Sequence, residues 1–420
     1  MRSFIFLALF SVLWSVIEGG SAFALDLTAP FFLENAQVLP PGVRNPRYTN
    51  LFMSVESKFN GSGKVEPLGQ PLSKTVTWND VIASQKNDIE KNMIRSTVKG
   101  SQLSLDGSPG STSGQVNTFV DVKVPVLAMG ITSNWTLGVA VPVMKVSVSA
   151  DTGFSRSEDG QKWMKNLCQL SVDQCNQAAN KLNDSVNQKL VGYGYEPIQS
   201  KTVSNIGDIQ LVSKVGLDQN PDQQVTWKSS LILPTGMAPN AGRALDVPTG
   251  DGRVQIGNQL IYERRMPADF RWMAFGGAVA QLPNQMEKRV PLASGEALSP
   301  DKESLTRQWG ANVGCGTSLS HQFVSTGIVT SLGYNFQFMT QPRYSGGTRF
   351  SQERYRFLEN LTSSQLLHSA TLMAGFSTVE WYQNKKFFYP FQANVVLSHP
   401  LGGRSVSTSN VLAGELVLFL

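Results

Sequence analysis

The chain has 420 residues, with 36 Lys and Arg against 31 Asp and Glu, a formal net charge of +5. Only 16% of residues are charged, below the ~25% of ordinary soluble domains, yet the mean hydropathy is just −0.13. This excludes bulk disorder and, with no basic runs, a nucleic-acid partner, and it leaves two or three soluble domains or one large β architecture.

Arg2 opens the chain, Phe4 to Ile17 is an apolar run, and Ala22-Phe23-Ala24 is an A-x-A cleavage site. The pattern predicts a signal peptide over 1–24 and a mature start at Leu25. A retained membrane anchor is the alternative, but the run falls short of the ~20 residues a spanning helix needs. No later apolar stretch approaches that length, so helical membrane spans are excluded. Residues 25–46 include Phe31, Phe32, Leu33, Pro40 and Pro41. This segment is expected to fold into the periplasmic end of a lumen as a plug; a disordered or chaperone-bound leader is the alternative.

From residue 47 the dominant period is two. Val116, Thr118, Val120, Val122, Val124 and Val126 share one face, against Asn117, Phe119, Asp121, Lys123 and Pro125 on the other. Similar alternation marks strands near 47–58, 115–128, 134–148, 206–217, 224–235, 253–265, 270–282, 307–320, 325–339, 366–382, 386–398 and 407–420. Many exceed the 5–6 residues of soluble strands and meet the 9–11 a tilted membrane strand requires. Short turns near 130–133, 218–223, 267–269, 321–325 and 383–386 alternate with longer connections. Short periplasmic turns, long extracellular loops and an even strand number define a transmembrane antiparallel β-barrel. The predicted fold is therefore all-β: a barrel of about twelve strands over 47–420, with helical extracellular loops.

Trp135, Trp227, Tyr262, Trp272, Trp309 and Trp381 sit near strand ends, as an interfacial girdle requires; ordinary sandwich core is the rival account. Two loops, 59–114 and 149–205, carry helical spacing. Trp78, Ile82, Ile89 and Met93 share one face in the first. Trp163, Leu167 and Leu170, then Ala178, Leu182, Val186 and Leu190, do so in the second. These helices could be a lid or surface decoration. Cys168 and Cys175 are expected to form a local disulfide there, while Cys315 reads as an inert buried thiol. No metal-ligand spacing or G-x-S-x-G motif appears, so no cofactor, metal site or enzymatic activity is expected. His321, His368 and His399 are far apart, and a Ser-His pair stays open only as a minor reading.

If the apolar face of each strand meets lipid, the opposite face fills the lumen. That assignment places Glu56, Asp121, Lys123, Asp208, Lys214, Lys228, Glu263, Arg271 and Glu415 inside, together with Phe119, Val212, Ile232, Met273, Phe275, Met373 and Phe388. The charges could form a structural ion-pair network or contact a substrate. The mixed lining suits a small hydrophobic or aromatic molecule.

Four motifs carry a family resemblance. Asn205-Ile206-Gly207-Asp208-Ile209-Gln210-Leu211 with Lys214 resembles the GxGD-xx-L-xx-K strand of outer-membrane transporters of the phenol-degradation meta-pathway type. Leu231-Ile232-Leu233-Pro234-Thr235-Gly236 is similar to their LPTG strand end, and Gly250-Asp251-Gly252 to the restart of the next strand. Gly130 to Val139 with Pro142 resembles their hairpin. The resemblance covers about 120–265 and implies a barrel akin to fatty-acid and toluene transporters, with no binding residues carried over. The reading is a monomeric channel in the outer membrane of a Gram-negative bacterium. It passively takes up a small molecule, contacts membrane lipid, and is inserted by the barrel-assembly machinery. A surface adhesin or receptor on a barrel pedestal is the alternative.

Overall fold

The computed structural model describes residues 35–420 apart from 71–72, 84–87, 171–189, 295–297, 309 and 311. The expected signal peptide, the leader up to residue 34, Trp309 and Cys175 lie outside the described residues.

Twelve barrel strands follow one another. They are β1 (Arg44–Val55), β2 (Gly110–Thr132), β3 (in two pieces, Trp135–Ala140 and Val143–Arg156), β4 (in two pieces, Lys201–Ile206 and Ile209–Gln219), β5 (Gln223–Leu233) and β6 (Gln255–Arg265). Then come β7 (Phe270–Gln281), β8 (Asn312–Phe323), β9 (Ile328–Met339), β10 (Gln365–Ser377), β11 (Phe391–Arg404) and β12 (Val411–Leu418). Each pairs antiparallel with its chain neighbours. β1 pairs with both β12 (Arg47↔Val417) and β2 (Asn50↔Lys123), so the sheet closes and no edge remains.

The alternation explains where the wall faces. Phe52, Leu412, Leu397, Leu372, Leu332, Leu319 and Trp272 are successive cross-strand partners from β1 round to β7. All seven side chains are exposed on the outside. An apolar band this continuous does not suit water, and a closed barrel is the only sheet that satisfies its backbone in lipid. The molecule is a membrane-spanning β-barrel of the outer-membrane class, in contact with lipid. No helix among the described residues is long and apolar enough to cross.

The connections sort by end. β2–β3, β4–β5, β6–β7 and β8–β9 are joined by short turns at the end that also holds both ends of the barrel sequence, which defines the periplasmic side. Trp135, Trp227, Tyr262 and Trp272 lie at this end. The Trp135 indole N–H donates to Ser213 (3.0 Å) and that of Trp272 to Thr317 (2.8 Å). Such rings bridge apolar and wet surroundings.

Several strand boundaries differ from the sequence reading. Residues 307–308, read as the start of β8, belong instead to the strand Lys302–Gln308 of an extracellular hairpin with Asn284–Arg289. β10 stops at Ser377, where a short helix Val379–Gln383 begins, so the β10–β11 connection is longer than a tight turn. Phe388 is therefore not a strand residue; it stacks on Phe387 (4.8 Å) and is 83% exposed. Cys315 is exposed on the outer face of β8, not buried, because Gly314 and Gly316 take the inward positions.

β2 runs for 23 residues, longer than a bilayer demands at ~3.4 Å per residue. Its lower outer face, Pro125, Leu127, Met129 and Ile131, is apolar; above it the outer face turns to Lys123 and Asp121, beside Lys145 of β3. The overshoot carries three helices: α1 (Trp78–Ala83), α2 (Asp88–Gly100) and α3 (Glu158–Leu170). Trp78 and Trp163 (5.3 Å apart) centre their own apolar cluster with Ile82, Ile94 and Val98. Ile89, expected on the packed face, is exposed.

Candidate functional site: the barrel lumen

The interior has two unlike sectors. On the upper part of β1–β3 the inward residues include Leu51, Met53, Val55, Val120, Val122, Val124, Met144 and Val146, all buried, with Met53 and Met144 at the cavity margin. They are covered by Leu68 and by Leu245 and Val247 of the 234–254 loop, which folds into the barrel. On β4–β9 the inward residues include Gln210, Ser230, Gln255, Gln259, Gln281 and Gln337, which border a cavity. Two cavities lie end to end along the axis. The extracellular one is about 260 Å³ and the periplasmic one about 720 Å³; Gln210 and Lys228 border both.

A clasp holds the 234–254 loop inside. Pro142 interrupts β3 because it has no N–H to donate, and Gly207-Asp208 interrupts β4 beside it. Backbone bonds from Val141 to Pro125 (3.1 Å) and from Gly207 to Pro142 (2.8 Å) carry the wall across the break. The Asp208 carboxylate then accepts the N–H groups of Gly236 and Asp251, both at 2.9 Å. Thr235 donates to the Gly207 carbonyl (2.9 Å) and Thr249 to that of Ile206 (3.0 Å). Gly236 and Gly250 approach so closely that a Cβ on either would lie 2.7–2.8 Å from the other's Cα; only glycine permits this. Three of the four motifs noted in the sequence thus meet at one point. Asp251 in turn pairs with buried Arg253 and Arg307 (3.0 Å to the latter), and Arg307 reaches Asn284 (3.2 Å).

The described leader also enters the lumen. Gly42 and Val43 exchange backbone hydrogen bonds with Gly130 (2.9 and 3.0 Å). A side chain at Gly130 would strike the Pro40 backbone, which explains the glycine of the hairpin motif. Leu39 N–H donates to Thr136 (2.8 Å) and Ala36 N–H to Glu263 (3.1 Å). The Asn35 carbonyl accepts from Lys214 (2.9 Å), and that of Ala36 from Thr226. Ala36 is fully buried against Ile261, Met273 and Phe275. Residues 35–40 therefore lie along the inner wall at the periplasmic end.

The sequence-derived lumen residues separate into two groups. Lys214, Lys228, Glu263, Arg271 and Glu415 border the periplasmic cavity and Asp208 the extracellular one. Glu415 pairs with Arg47 (3.2 Å) and accepts from Asn394 (2.8 Å), tying β12 to β1 and β11; Glu263 pairs with Arg271 (3.8 Å) between β6 and β7. Val212, Ile232, Met273, Phe275 and Met373 are inward too. By contrast Glu56, Asp121 and Lys123 are not in the lumen. Asp121, Lys123 and Phe119 share the outer face of β2, because its valine face turns inward under the loop; Glu56 is exposed just beyond the end of β1. Cys168 lies on α3, half-buried against the Trp78–Trp163 cluster.

Sequence reasoning passed over the inward glutamines. Their signal was there: Gln255 and Gln259 alternate with outward Ile256 and Leu260.

No family model matches the chain, and neither does any curated protein. Solved structures similar to it include an outer-membrane channel from Pseudomonas putida F1, with 12% identity over 92% of this chain and 98% of that one and a TM-score of 0.49. A FadL homologue from Pseudomonas aeruginosa shows 8% identity over 100% and 99%, TM-score 0.33. The Ralstonia pickettii toluene transporter TbuX shows 9% over 90% and 90%, TM-score 0.33. The strand pairing itself, rather than these likenesses, defines the barrel.

Proposed function

We propose that the chain is a monomeric outer-membrane channel for passive uptake of a small molecule, exported by residues 1–24 and gated by the leader 25–46. One observation carries this reading: two cavities run end to end along the barrel axis, and residues 35–43 border the periplasmic one. A closed sheet leaves no strand edge to recruit a second copy. The barrel-assembly machinery inserts the closed sheet.

A hydrophobic or aromatic cargo keeps part of its support from the wall: of the apolar residues expected to face it, Phe119 and Phe388 are outside, while Val212, Ile232, Met273 and Met373 border the cavities.

Planar-bilayer conductance of the full chain and of a form lacking residues 25–39 tests the gate. The shortened form is expected to conduct more. Equal closure in both would sink the gating role, and no conductance or solute flux in either would sink the channel.

The adhesin reading draws on a different observation, the independent apolar core of the cap around Trp78 and Trp163. Removing α1–α3 should then abolish surface binding and leave conductance unchanged.

A further inference from the structure

We propose that the β10–β11 connection at the periplasmic rim, residues 378–390, is a binding site for an anionic phospholipid of the periplasmic leaflet. This goes beyond the channel reading and does not depend on what crosses the lumen.

The connection differs from the other turns at that end. Those are short: 133–134, 220–222, 266–269 and 324–327. This one is far longer and is pinned at its base. Thr378, fully buried, donates to the Tyr389 carbonyl (2.7 Å) and accepts the Phe391 N–H (3.0 Å). After the short helix the chain turns back, with the Lys385 N–H on the Tyr382 carbonyl (2.9 Å) and the Lys386 N–H on that of Trp381 (2.7 Å).

The segment faces two ways. Val379, Tyr382 and Gln383 border the periplasmic cavity. Trp381 belongs to the other side: its indole N–H donates to the Val324 carbonyl (3.0 Å), and its ring lies 5.5 Å from Phe376 and 6.3 Å from Phe387. Phe376 and Phe391 stand 6.0 Å apart on the outer face of β10 and β11. They continue toward the periplasm the outward pairs Leu372–Leu397 and Ala374–Val395. Phe387 packs on Phe391 (6.2 Å), and exposed Phe388 stacks on Phe387. The lipid-facing band thus runs unbroken onto the connection. Exposed rings at the margin of such a band belong in the interface, between acyl chains and head groups.

Charge names the head group. Lys385 and Lys386 directly precede the two phenylalanines, and both are exposed. Among the described residues, no ion pair involves either of them. Glu380, the only acid within 378–390, does not pair with them. A lysine stem lies along apolar surface while its ammonium group reaches for phosphate. Basic residues at a membrane margin favour anionic lipid, each by about fivefold near the surface. A zwitterionic lipid would meet the same rings and bring the lysines no net charge. A periplasmic protein would have to displace lipid from Phe376 and Phe391 to reach them.

The experiment uses the full mature chain. In detergent it is given equal amounts of phosphatidylglycerol and phosphatidylethanolamine with matched acyl chains, and native mass spectrometry counts each lipid retained. Phosphatidylglycerol is expected to be retained preferentially. Combining Lys385→Gln with Lys386→Gln is expected to weaken its binding about tenfold and to leave phosphatidylethanolamine unchanged. In vesicles, brominated phosphatidylglycerol is expected to quench the Trp381 emission, taken as wild type minus Trp381→Phe, more than brominated phosphatidylethanolamine does. Heat-modifiable gel mobility shows that each variant is a folded barrel, and the retention assay stands without Trp381→Phe. Equal retention of the two lipids by the wild type would overturn the site. So would a phosphatidylglycerol preference that the lysine variant keeps, or Trp381 emission that neither brominated lipid quenches. Dimers in detergent that Phe388→Ser dissolves would put a second copy on the rings and overturn it as well.

Discussion

The two sides of the barrel interior solve the same problem in opposite ways. The β1–β3 side excludes water by pressing Leu68, Leu245 and Val247 onto a valine wall. The β4–β9 side borders a cavity whose lining mixes glutamines with Ile232, Val279, Phe338 and Met339. Both rest on the same period-two strand, and the difference lies in whether a loop turns inward over them. One wall acts as a hydrophobic core, the other as the border of a cavity.

The comparison breaks most readily at Leu51. Leu51→Ala in the packed sector should cost ~2–5 kcal/mol, the usual range for a buried leucine. Gln337→Leu in the hollow sector should cost less than about 1 kcal/mol. Urea unfolding of vesicle-folded barrels measures both, and equal losses would erase the distinction. Next in size is Asp208→Ala, which leaves the N–H groups of Gly236 and Asp251 unmatched at ~1–3 kcal/mol each. It should loosen the 234–254 loop and raise conductance; Asp208→Asn should do so less.

The orientation of β2 is tested by cysteine labelling in a Cys315→Ser background. Lys123→Cys should react promptly with a membrane-impermeant thiol reagent on intact cells, and Lys228→Cys slowly. Equal rates would place both on the same side of the wall.

These tests bear on what the sequence could disclose. The strands were legible because alternation is a local property, visible from Val116 to Val126 without knowing any neighbour. Their facing at β2 was not. The inference that polar means lumen and apolar means lipid holds only for a wall with water behind it, and residues 245 and 247 remove that water over 100 residues downstream. The motif residues were visible as well, yet nothing in Gly207-Asp208, Pro234-Thr235-Gly236 and Gly250-Asp251-Gly252 taken singly reveals that they converge. The leader's apolar character was readable; its bond from Ala36 to Glu263, 227 residues away, was not.

Smaller effects concern the cap. Glu303 accepts from the Tyr355 hydroxyl (2.7 Å) and from the N–H groups of Thr348 and Arg349 (2.8 and 3.1 Å). The tyrosine bond, followed by those N–H groups, holds its carboxyl below the usual glutamate range. A lowered folded value means the contribution is present above the unfolded glutamate pKa of ~4.3 and is lost as pH falls through the folded value. Limited proteolysis should therefore cut the 340–364 loop faster in acid than at neutral pH, and Glu303→Gln should flatten that dependence. Least of all, a Cys168–Cys175 bond should appear as a disulfide-linked peptide in a non-reducing mass map. Its reduction should loosen only the α3 region and leave both sectors of the lumen unchanged.

The clasp at Asp208 has a consequence for the order of assembly. All its bonds fall between residues 206 and 251, whereas closure joins positions as distant as Thr49 and Glu415. Short loops close at lower entropic cost than long ones. Most residues of the packed sector also lie between Leu51 and Val247, while the fully buried Val396 and Ala413 join it from β11 and β12. The chain up to the clasp thus gathers most of that core, and its last members arrive with closure. The hollow wall is completed afterwards, when β6–β12 curve round to meet β1.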